Sequence, residues 1–325
     1  MRFSRMGLPG RSRVIVGDPS FDLATVSALL DGVAEAETGD RPWQGDDVVG
    51  LLVGPDHPVG AADMDALPNL AVVASCSVGY EHVDVEAAAA RGIWVTNVPD
   101  YCVEEMADSS LALLLSLLRG IVVLDRSVRN GDWDHRAAGE LRRIAGTRLG
   151  IVGLGRIGRA LAVRARALGM EVWATDPAVP ESEIEAAGIH PARLDELLGG
   201  CTAFSLHAPL TPATEGMIGE RELGLMPEGA VLVDTARARL TDFGAVLRAL
   251  DSGRLAAAAF DVLPVEPPSP EHPPPEHPRL VVNPHAAWYS PETEIEVYQR
   301  PVIAVREVLD GGVPRDAVVG PRTTA

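Results

Sequence analysis

The chain has 325 residues, a length that suits two domains because single hydrophobic cores stop growing at roughly 250–300 residues. Hydrophobic residues make up 46% and charged residues 23%, as in globular proteins, and no apolar run reaches the roughly 20 residues that span a bilayer. The net charge of −18 repels a phosphate backbone. We therefore expect a small-molecule partner rather than a nucleic acid or a membrane.

The N-terminal segment and the cysteines bear on location and on cross-links. Residues 1–13 contain arginines but no apolar stretch of signal-peptide length behind them, so we predict a cytoplasmic protein. Cys76, Cys102 and Cys201 are odd in number and far apart, which argues against a disulfide framework and against a structural zinc site. We expect buried thiols and no metal.

The first third of the chain alternates short β-branched runs with helical stretches, a pattern typical of a parallel α/β sheet. The predicted strands are Arg13–Gly17, Val48–Val53, Leu70–Ala74 and Ile93–Thr96, with a helix at Val85–Arg91. A long apolar helix, Val103–Arg119, is predicted after Pro99, which biases its neighbour away from helix. We place a domain boundary between residues 98 and 99.

A second α/β series begins at Leu149 and predicts one doubly wound domain. Its predicted elements are strand Leu149–Val152, helix Ile157–Leu168, and strands Glu171–Thr175, Thr202–Leu206, Ala230–Val233, Ala256–Asp261 and Leu280–Val282. A last helix, around Pro291–Leu309, is expected to return to the first domain. Residues 1–98 and 290–325 would then form one discontinuous domain, and residues 99–289 the other.

The segment Pro264–Pro278 is too rich in proline for a helix or a central strand, so it predicts an extended loop. Its His272 and His277 suggest metal binding, but we prefer a solvated surface loop.

A glycine-rich sequence follows the strand at Leu149–Val152 and opens a helix, the context in which such a sequence binds a dinucleotide. Gly153 permits a tight turn, Gly155 lets the backbone approach a pyrophosphate, and Gly158 lets the helix and the strand pack closely. Arg156 and Ile157, which lie between these glycines, are predicted cofactor contacts.

Asp176 lies 18 residues beyond Gly158, at the end of the next predicted strand. A carboxylate there can accept hydrogen bonds from both ribose hydroxyls and repels a 2′-phosphate, which predicts NAD rather than NADP. The alternative is an aspartate that caps a helix or a turn before Pro177.

Three polar residues stand just beyond buried strands, where the carboxyl ends of a doubly wound sheet face the ligand crevice. Arg237 can grip a carboxylate and a ketone oxygen together with its planar fork. His285 beside Glu266 would keep its cationic form near neutrality and could donate a proton. The alternative is a structural ion-pair network.

These motifs resemble the D-isomer-specific 2-hydroxyacid dehydrogenase family, from about Ser75 to Ser290. The glycine motif, VDTARARLTD, FDVLPVEP and NPHAAWYS occur in family order and at family spacing. The resemblance implies that Arg237, Glu266 and His285 are the catalytic residues. It assigns further cofactor contacts to His207, Ala208, Pro209, Thr214, Thr235, Ala236 and Asp261, and substrate contacts to Ser77, Val78, Gly79, Arg237 and Trp288.

The family implies two doubly wound parallel-sheet domains, a Rossmann NAD-binding domain inserted into a flavodoxin-like substrate domain. It also implies hydride transfer between NAD(H) and a 2-keto acid/D-2-hydroxy acid pair, in a homodimer joined through Val103–Arg119. Pro284–Ser290 and Val103–Ser109 most resemble the C-terminal binding protein branch. The alternative function is therefore an NAD(H)-sensing, corepressor-like binding module with little turnover.

The sequence departs from the family pattern around the arginine. Where the family usually has Asn-x-Ala-Arg-Gly-Gly, this chain has Asp234-Thr-Ala-Arg-Ala-Arg239. If a positive φ is needed there, Ala238 would cost roughly 1 kcal/mol or reshape the loop. Arg239, together with His82 in place of a common asparagine, suggests a substrate with a second anionic group, although solvated or packed roles are the alternative.

Two finer assignments stay open. Trp288 would line the substrate pocket or, alternatively, anchor the last helix. Formate oxidation by a member of this family would pair the histidine with glutamine, whereas Glu266 is present here. Phosphite oxidation is not excluded by that comparison.

Overall fold

A computed structural model describes residues 12–321. They divide into two compact units, one made of residues 12–101 and 290–321 and the other of Cys102–Tyr289. The predicted absence of a targeting segment concerns residues 1–13, of which 1–11 lie outside the described residues.

The first unit begins with alternating strands and helices. They are β1 (Arg13–Val16), α1 (Leu23–Leu29), β2 (Glu35–Thr38), β3 (Val48–Val53), α2 (Ala61–Asp65), β4 (Val72–Ser75), α3 (Val85–Arg91) and β5 (Trp94–Thr96). Aspartate side chains cap two of these helices at the N-terminus. Asp22 accepts the Thr25 N–H at the start of α1, and Asp84 accepts the Ala87 N–H at the start of α3.

The second unit begins with two helices and continues as a longer α/β series. Its elements are α4 (Val103–Leu118), α5 (Ile121–Arg129), β6 (Arg148–Val152), α6 (Arg156–Ala167), β7 (Glu171–Thr175), α7 (Glu181–Ala186), β8 (His190–Pro191), α8 (Leu194–Gly200), β9 (Ala203–Leu206), α9 (Glu220–Leu225), β10 (Ala230–Asp234), α10 (Phe243–Ser252), β11 (Leu255–Phe260) and β12 (Leu280–Val282). Two short 3₁₀ turns, His135–Ala138 and Ala238–Leu240, complete it.

The chain then returns to the first unit with α11 (Pro291–Leu309) and β13 (Ala317–Val319). Ser290 caps α11 by accepting the Thr293 N–H, and Pro291 occupies the first helical position, where its missing N–H costs nothing.

Each unit contains one twisted, mainly parallel sheet. The first has the order β13-β5-β4-β3-β1-β2, in which only β13 pairs antiparallel. The second has the order β12-β11-β10-β9-β6-β7-β8, and all its pairings are parallel. These are the flavodoxin-like and Rossmann-type strand orders, so the predicted fold class is confirmed.

Helices cover both faces of the second sheet, which is why its central strands are apolar along their whole length. All five residues of β10 and all four of β9 are buried. One core cluster includes Phe204 and Phe260, and the other contains the buried side of α4, with Leu113 and Leu114. The apolar character of α4 is therefore explained by packing within its own unit.

The strands and helices with strong apolar patterns lie where the sequence predicts them, within one or two residues. The segment Pro264–Pro278 contains no helix or strand, in agreement with the predicted loop. The three cysteines are buried and unpaired, as expected. No group of metal-ligating side chains occurs in residues 12–321.

Within the described range, no single helix is long and apolar enough to cross a membrane, and α4 with α5 meets that test only as a pair bent by 58°.

Candidate active site

The loop between β6 and α6 carries the three glycines and meets the requirements of a dinucleotide site. Gly153 has φ +94°, and a Cβ there would lie 2.6 Å from the Ala208 nitrogen, so only glycine fits. A Cβ on Gly158 would lie 2.3 Å from the Gly153 carbonyl oxygen, so α6 packs directly against the strand end. A Cβ on Gly155 would meet no atom within 4 Å. The space beside Gly155 at the start of α6 is therefore open, as pyrophosphate binding requires.

The first turn of α6 places no negative charge near this loop that would repel an anion. Arg156 is exposed, Ile157 is half-buried, and the turn contains no acidic side chain. An anion at this helix end would meet the positive end of the helix dipole and a nearby cation.

Asp176 connects the glycine loop to the end of β7. Its Oδ2 accepts the Leu154 N–H at 2.7 Å, and its Oδ1 accepts the Ala178 N–H at 2.9 Å. The turn role that the sequence leaves open is therefore present. Each carboxylate oxygen can accept a further hydrogen bond, so the same side chain retains the capacity to receive ribose hydroxyls.

The segment after β9 forms the opposite side of the glycine loop. His207 pairs with the Ser205 hydroxyl at 2.8 Å, and burial lowers the pKa of His207 to about 4, so its ring is neutral near pH 7. The Thr214 hydroxyl donates to the Pro209 carbonyl at 2.6 Å and closes this segment. The backbone of Ala208 lies against Gly153. Strands β6 and β9 are neighbours, and strand order reverses at this point, where doubly wound sheets bind their ligands.

His285 and Glu266 form a direct pair. His285 Nδ1 lies 2.7 Å from Glu266 Oε2, and the two side chains are 43% and 33% exposed. The bond to Glu266 raises the pKa of His285 above its ordinary value, in spite of partial burial. Burial opposes ionisation of Glu266, but the bond to His285, the Leu263 N–H and the charge of Arg237 lower its pKa overall. A protonated histidine beside an ionised glutamate is the favoured state.

Asp261 fixes the backbone that carries His285. Its carboxylate is 1% exposed and accepts the N–H groups of Ala286 and Ala287, both at 2.9 Å. Its carbonyl accepts the His285 N–H at 2.8 Å. His285 has φ 53°, the one positive φ outside glycine in residues 12–321. This strained backbone is held by three bonds to a single residue.

Arg237 follows β10 and lies within electrostatic reach of the pair. Its half-buried guanidinium donates to the Ala236 carbonyl at 2.8 Å. The charge of Arg237 contributes to the pKa values of both Glu266 and His285. The three predicted catalytic residues therefore lie together at one edge of the second unit, beyond β10, β11 and β12.

The departures from the family pattern have local explanations. Ala238 does not adopt a positive φ but begins a 3₁₀ turn, and it is 7% exposed, so it carries no left-handed strain. Arg239 forms an ion pair with Glu215 at 2.6 Å. The cation expected to receive a second anionic group on the substrate is therefore already paired.

The predicted carboxylate loop, residues 77–79, lies in the first unit after β4. Its carbonyl groups accept bonds from Val98, from the Asn97 amide and from the Ser77 hydroxyl. Within the part of the chain described by the structure, none of its three N–H groups donates a hydrogen bond. Successive backbone N–H groups without a protein acceptor can bind an anion. His82 pairs with Ser75 beneath this loop.

Two further predicted contacts have partly different surroundings. The hydroxyl of Thr235 pairs with that of Ser110 on α4 at 2.8 Å. Trp288 is half-buried and packs edge-on against Tyr289, with ring centroids 5.7 Å apart.

Sequence reasoning missed two features of this edge. One is the complete burial of the Asp234 carboxylate. The sequence shows only that an aspartate stands where the family usually has asparagine. The other is the use of the Asp261 carboxylate to hold the His285 backbone. A buried strand that ends in aspartate was the available signal in both cases.

Comparisons with known proteins identify the family. Residues 111–287 match the family model described as "D-isomer specific 2-hydroxyacid dehydrogenase, NAD binding domain". A glyoxylate reductase of Korarchaeum cryptofilum is 40% identical over 251 residues, which cover 76% of this chain and 75% of that protein. A glycerate dehydrogenase of Methylorubrum extorquens is 34% identical over 292 residues, 86% of this chain and 90% of that protein.

Among solved structures, a glyoxylate reductase from Paecilomyes thermophila is similar with a TM-score of 0.83 and 29% identity, covering 96% of this chain and 99% of that one. The family model, the two relatives and the similar solved structure all point to the same family. The chain therefore belongs to the D-isomer-specific 2-hydroxyacid dehydrogenase family of NAD-dependent oxidoreductases.

Proposed function

We propose that this protein interconverts a small 2-keto acid and the corresponding D-2-hydroxy acid, with His285 as acid/base, Glu266 as its partner and Arg237 as the substrate-binding cation. The observation that carries the proposal is the 2.7 Å contact between His285 and Glu266, in the unit that also holds the glycine loop.

The chain's own residues supply what reduction of a ketone needs besides hydride. Bound NADH would supply that hydride. Because Nδ1 of His285 is committed to Glu266, Nε2 is the ring nitrogen that donates a proton to the carbonyl oxygen. The guanidinium of Arg237 holds the carboxylate and polarises the carbonyl. In the oxidative direction, neutral His285 takes the proton back.

The substrate is proposed to be a short monocarboxylic 2-keto acid, such as glyoxylate or hydroxypyruvate. The similar enzymes of Korarchaeum and Methylorubrum are named glyoxylate reductase and glycerate dehydrogenase. Pairing of Arg239 with Glu215 disfavours a dicarboxylic substrate. Trp288 would border the substrate's side chain.

A place in the C-terminal binding protein-like branch remains part of the proposal, on the motif Pro284–Ser290. The alternative function, an NAD(H)-sensing corepressor, gains no support, because the relatives described above are named as enzymes.

A homodimer is also proposed. The family resemblance places its interface at Val103–Arg119, whereas the exposed apolar side chains favour α5 and the segment that follows it. No residue of α5 is buried, and Ile121, Val128 and Trp133 are 55%, 49% and 91% exposed. Such a group of exposed apolar side chains marks an interaction surface. The proposed partner is a second copy of this chain, because most homo-oligomers are two-fold symmetric dimers.

A cytoplasmic location is proposed on the cysteines, because three buried, unpaired thiols suit a reducing compartment.

The first prediction concerns the acid/base pair. Since Glu266 raises the pKa of His285 and the protonated ring drives reduction, kcat/KM for glyoxylate should be high at low pH and fall above that pKa. Glu266→Gln removes the charge and should move the fall to lower pH, by on the order of one pH unit. His285→Asn should lower kcat by roughly 10²–10⁴.

Steady-state kinetics with NADH between pH 5 and 9 measure both effects. His272→Asn and Glu271→Gln, in the exposed loop, are the matched controls and should behave as wild type. A descending limb that stays in place in Glu266→Gln contradicts the assignment, as does wild-type turnover by His285→Asn.

The second prediction concerns Asp176 and the choice of cofactor. Wild type should prefer NADH to NADPH. Asp176→Ala removes the acceptor for ribose hydroxyls, worth about 1.5–3 kcal/mol for bonds to a charged group, and should lower kcat/KM for NADH by roughly tenfold or more. The ratio of kcat/KM for NADH and NADPH, measured beside the exposed Asp195→Ala control, checks this. An unchanged ratio would falsify the assignment.

The third prediction concerns the oligomer. Val128→Glu places a charge in the proposed interface and should convert dimer to monomer. Val313→Glu changes an even more exposed valine, in the other unit, and should leave the dimer intact. Sedimentation equilibrium distinguishes the two, and a monomeric wild type or a dimeric Val128→Glu variant would reject this surface.

A further inference from the structure

The last residue of β10, Asp234, is a carboxylate with no access to solvent. It is 0% exposed, in a strand whose other four residues are all apolar. Its Oδ1 accepts the Ala236 N–H at 2.8 Å, and the Arg237 N–H favours the charged form of the carboxylate, which lowers its pKa. Asp234 therefore holds the turn from which the Arg237 side chain projects.

The second carboxylate oxygen has a weaker partner. Thr241 donates its hydroxyl to Oδ2 at 3.4 Å, a long hydrogen bond from a residue that is 6% exposed. Burial raises the pKa of Asp234 to about 7, although the two N–H groups, Thr241 and the charge of Arg237 oppose that rise. Near neutral pH this carboxyl group is therefore poised between its charged and neutral forms.

The neighbouring strands contribute two other titratable groups. Strand β9 is followed by His207, which burial keeps neutral because its pKa is about 4. Strand β11 is followed by Asp261, whose carboxylate already accepts the N–H groups of Ala286 and Ala287. Beyond them lie His285 and Glu266, which pair with each other.

The positive charge of Arg237 acts on Asp234 and favours its ionised form. A negative charge beneath the turn reduces the positive potential that the guanidinium offers to a carboxylate, and protonation restores it. An asparagine at this position, which the family pattern has, would keep a hydrogen-bond acceptor but would never ionise.

We propose that Asp234 is a positioning residue for Arg237 that also makes substrate affinity depend on pH, because its ionisation weakens the attraction of Arg237 for the substrate carboxylate. The inference rests on the proposed role of Arg237 in substrate binding. It predicts that monoanionic ligands bind more weakly as pH rises through neutrality, independently of His285.

The test measures binding of oxamate, a monoanionic analogue of a 2-keto acid, to the full chain with NADH between pH 5.5 and 9. His285→Asn serves as the background, so that the histidine does not titrate. In this background the dissociation constant should rise with pH, on the order of fivefold with a midpoint near 7. The double variant Asp234→Asn/His285→Asn should bind oxamate without that rise.

Thr241 provides a second, independent variant. Thr241→Val removes the hydroxyl donor that favours the charged form, so the midpoint should move to higher pH. Thr241→Ser retains the donor and should keep the midpoint of the background protein. These two variants keep the proposal testable even if Asp234→Asn folds poorly.

Thermal unfolding shows whether Asp234→Asn folds and gives an independent readout. Burial holds the proton more tightly in the folded state than in the unfolded state, so ionisation costs stability as pH rises from about 4 to about 7. Asp234→Asn should therefore raise Tm relative to wild type more at pH 8 than at pH 5.

One contrary result is an oxamate dissociation constant of the His285→Asn protein that keeps the same pH midpoint when Asp234→Asn or Thr241→Val is added. That result overturns this inference and leaves the proposed function standing. Failure of oxamate to bind wild type at any pH overturns both.

Discussion

The loop after β12 is held by a single buried carboxylate, that of Asp261. Two successive N–H groups, from Ala286 and Ala287, donate to its two oxygens, and the His285 N–H donates to its carbonyl. These bonds stabilise a left-handed backbone at His285, which a residue other than glycine seldom adopts. The direction of the imidazole, its contact with Glu266 and its place at the sheet edge all depend on that conformation.

Two buried aspartates stabilise turns at this edge of the second sheet. Asp234 ends β10 and Asp261 follows β11, and each accepts backbone N–H groups of the turn beyond its strand. Burial raises the pKa of both groups, which is the cost of placing a carboxylate at the end of an apolar strand. In return, Arg237 and His285 project from backbones that are fixed by bonds rather than by side-chain packing alone. Pre-organisation of this kind favours catalysis because little reordering is left for the reaction.

Elements with strong local patterns were predictable from sequence, whereas polar edges were not. The all-apolar run Val48–Val53 and the capped helix Pro291–Leu309 have the predicted bounds. Strand β2, at the sheet's edge, has mostly exposed residues and no alternating pattern, so only its pairing with β1 defines it. Helix α5 buries nothing and likewise went unpredicted.

The candidate site shows the same division. Glycine spacing and strand-end positions were sufficient to select Gly153, Asp176 and His285. The clamps made by Asp261 and Asp234 depend on which backbone N–H groups the fold brings to each carboxylate, and no local pattern contains that information. The pairing of Arg239 with Glu215 joins residues 24 apart and was likewise invisible.

The account depends most directly on the ionisation of His285 beside Glu266. A ¹⁵N NMR titration of the imidazole, assigned by comparison with His285→Asn, measures it without turnover. We predict a pKa above the ordinary 6.5, with Nδ1 protonated throughout and Nε2 losing the proton. A pKa at or below 6.5, or loss of the proton from Nδ1, would contradict the proposed acid/base pair.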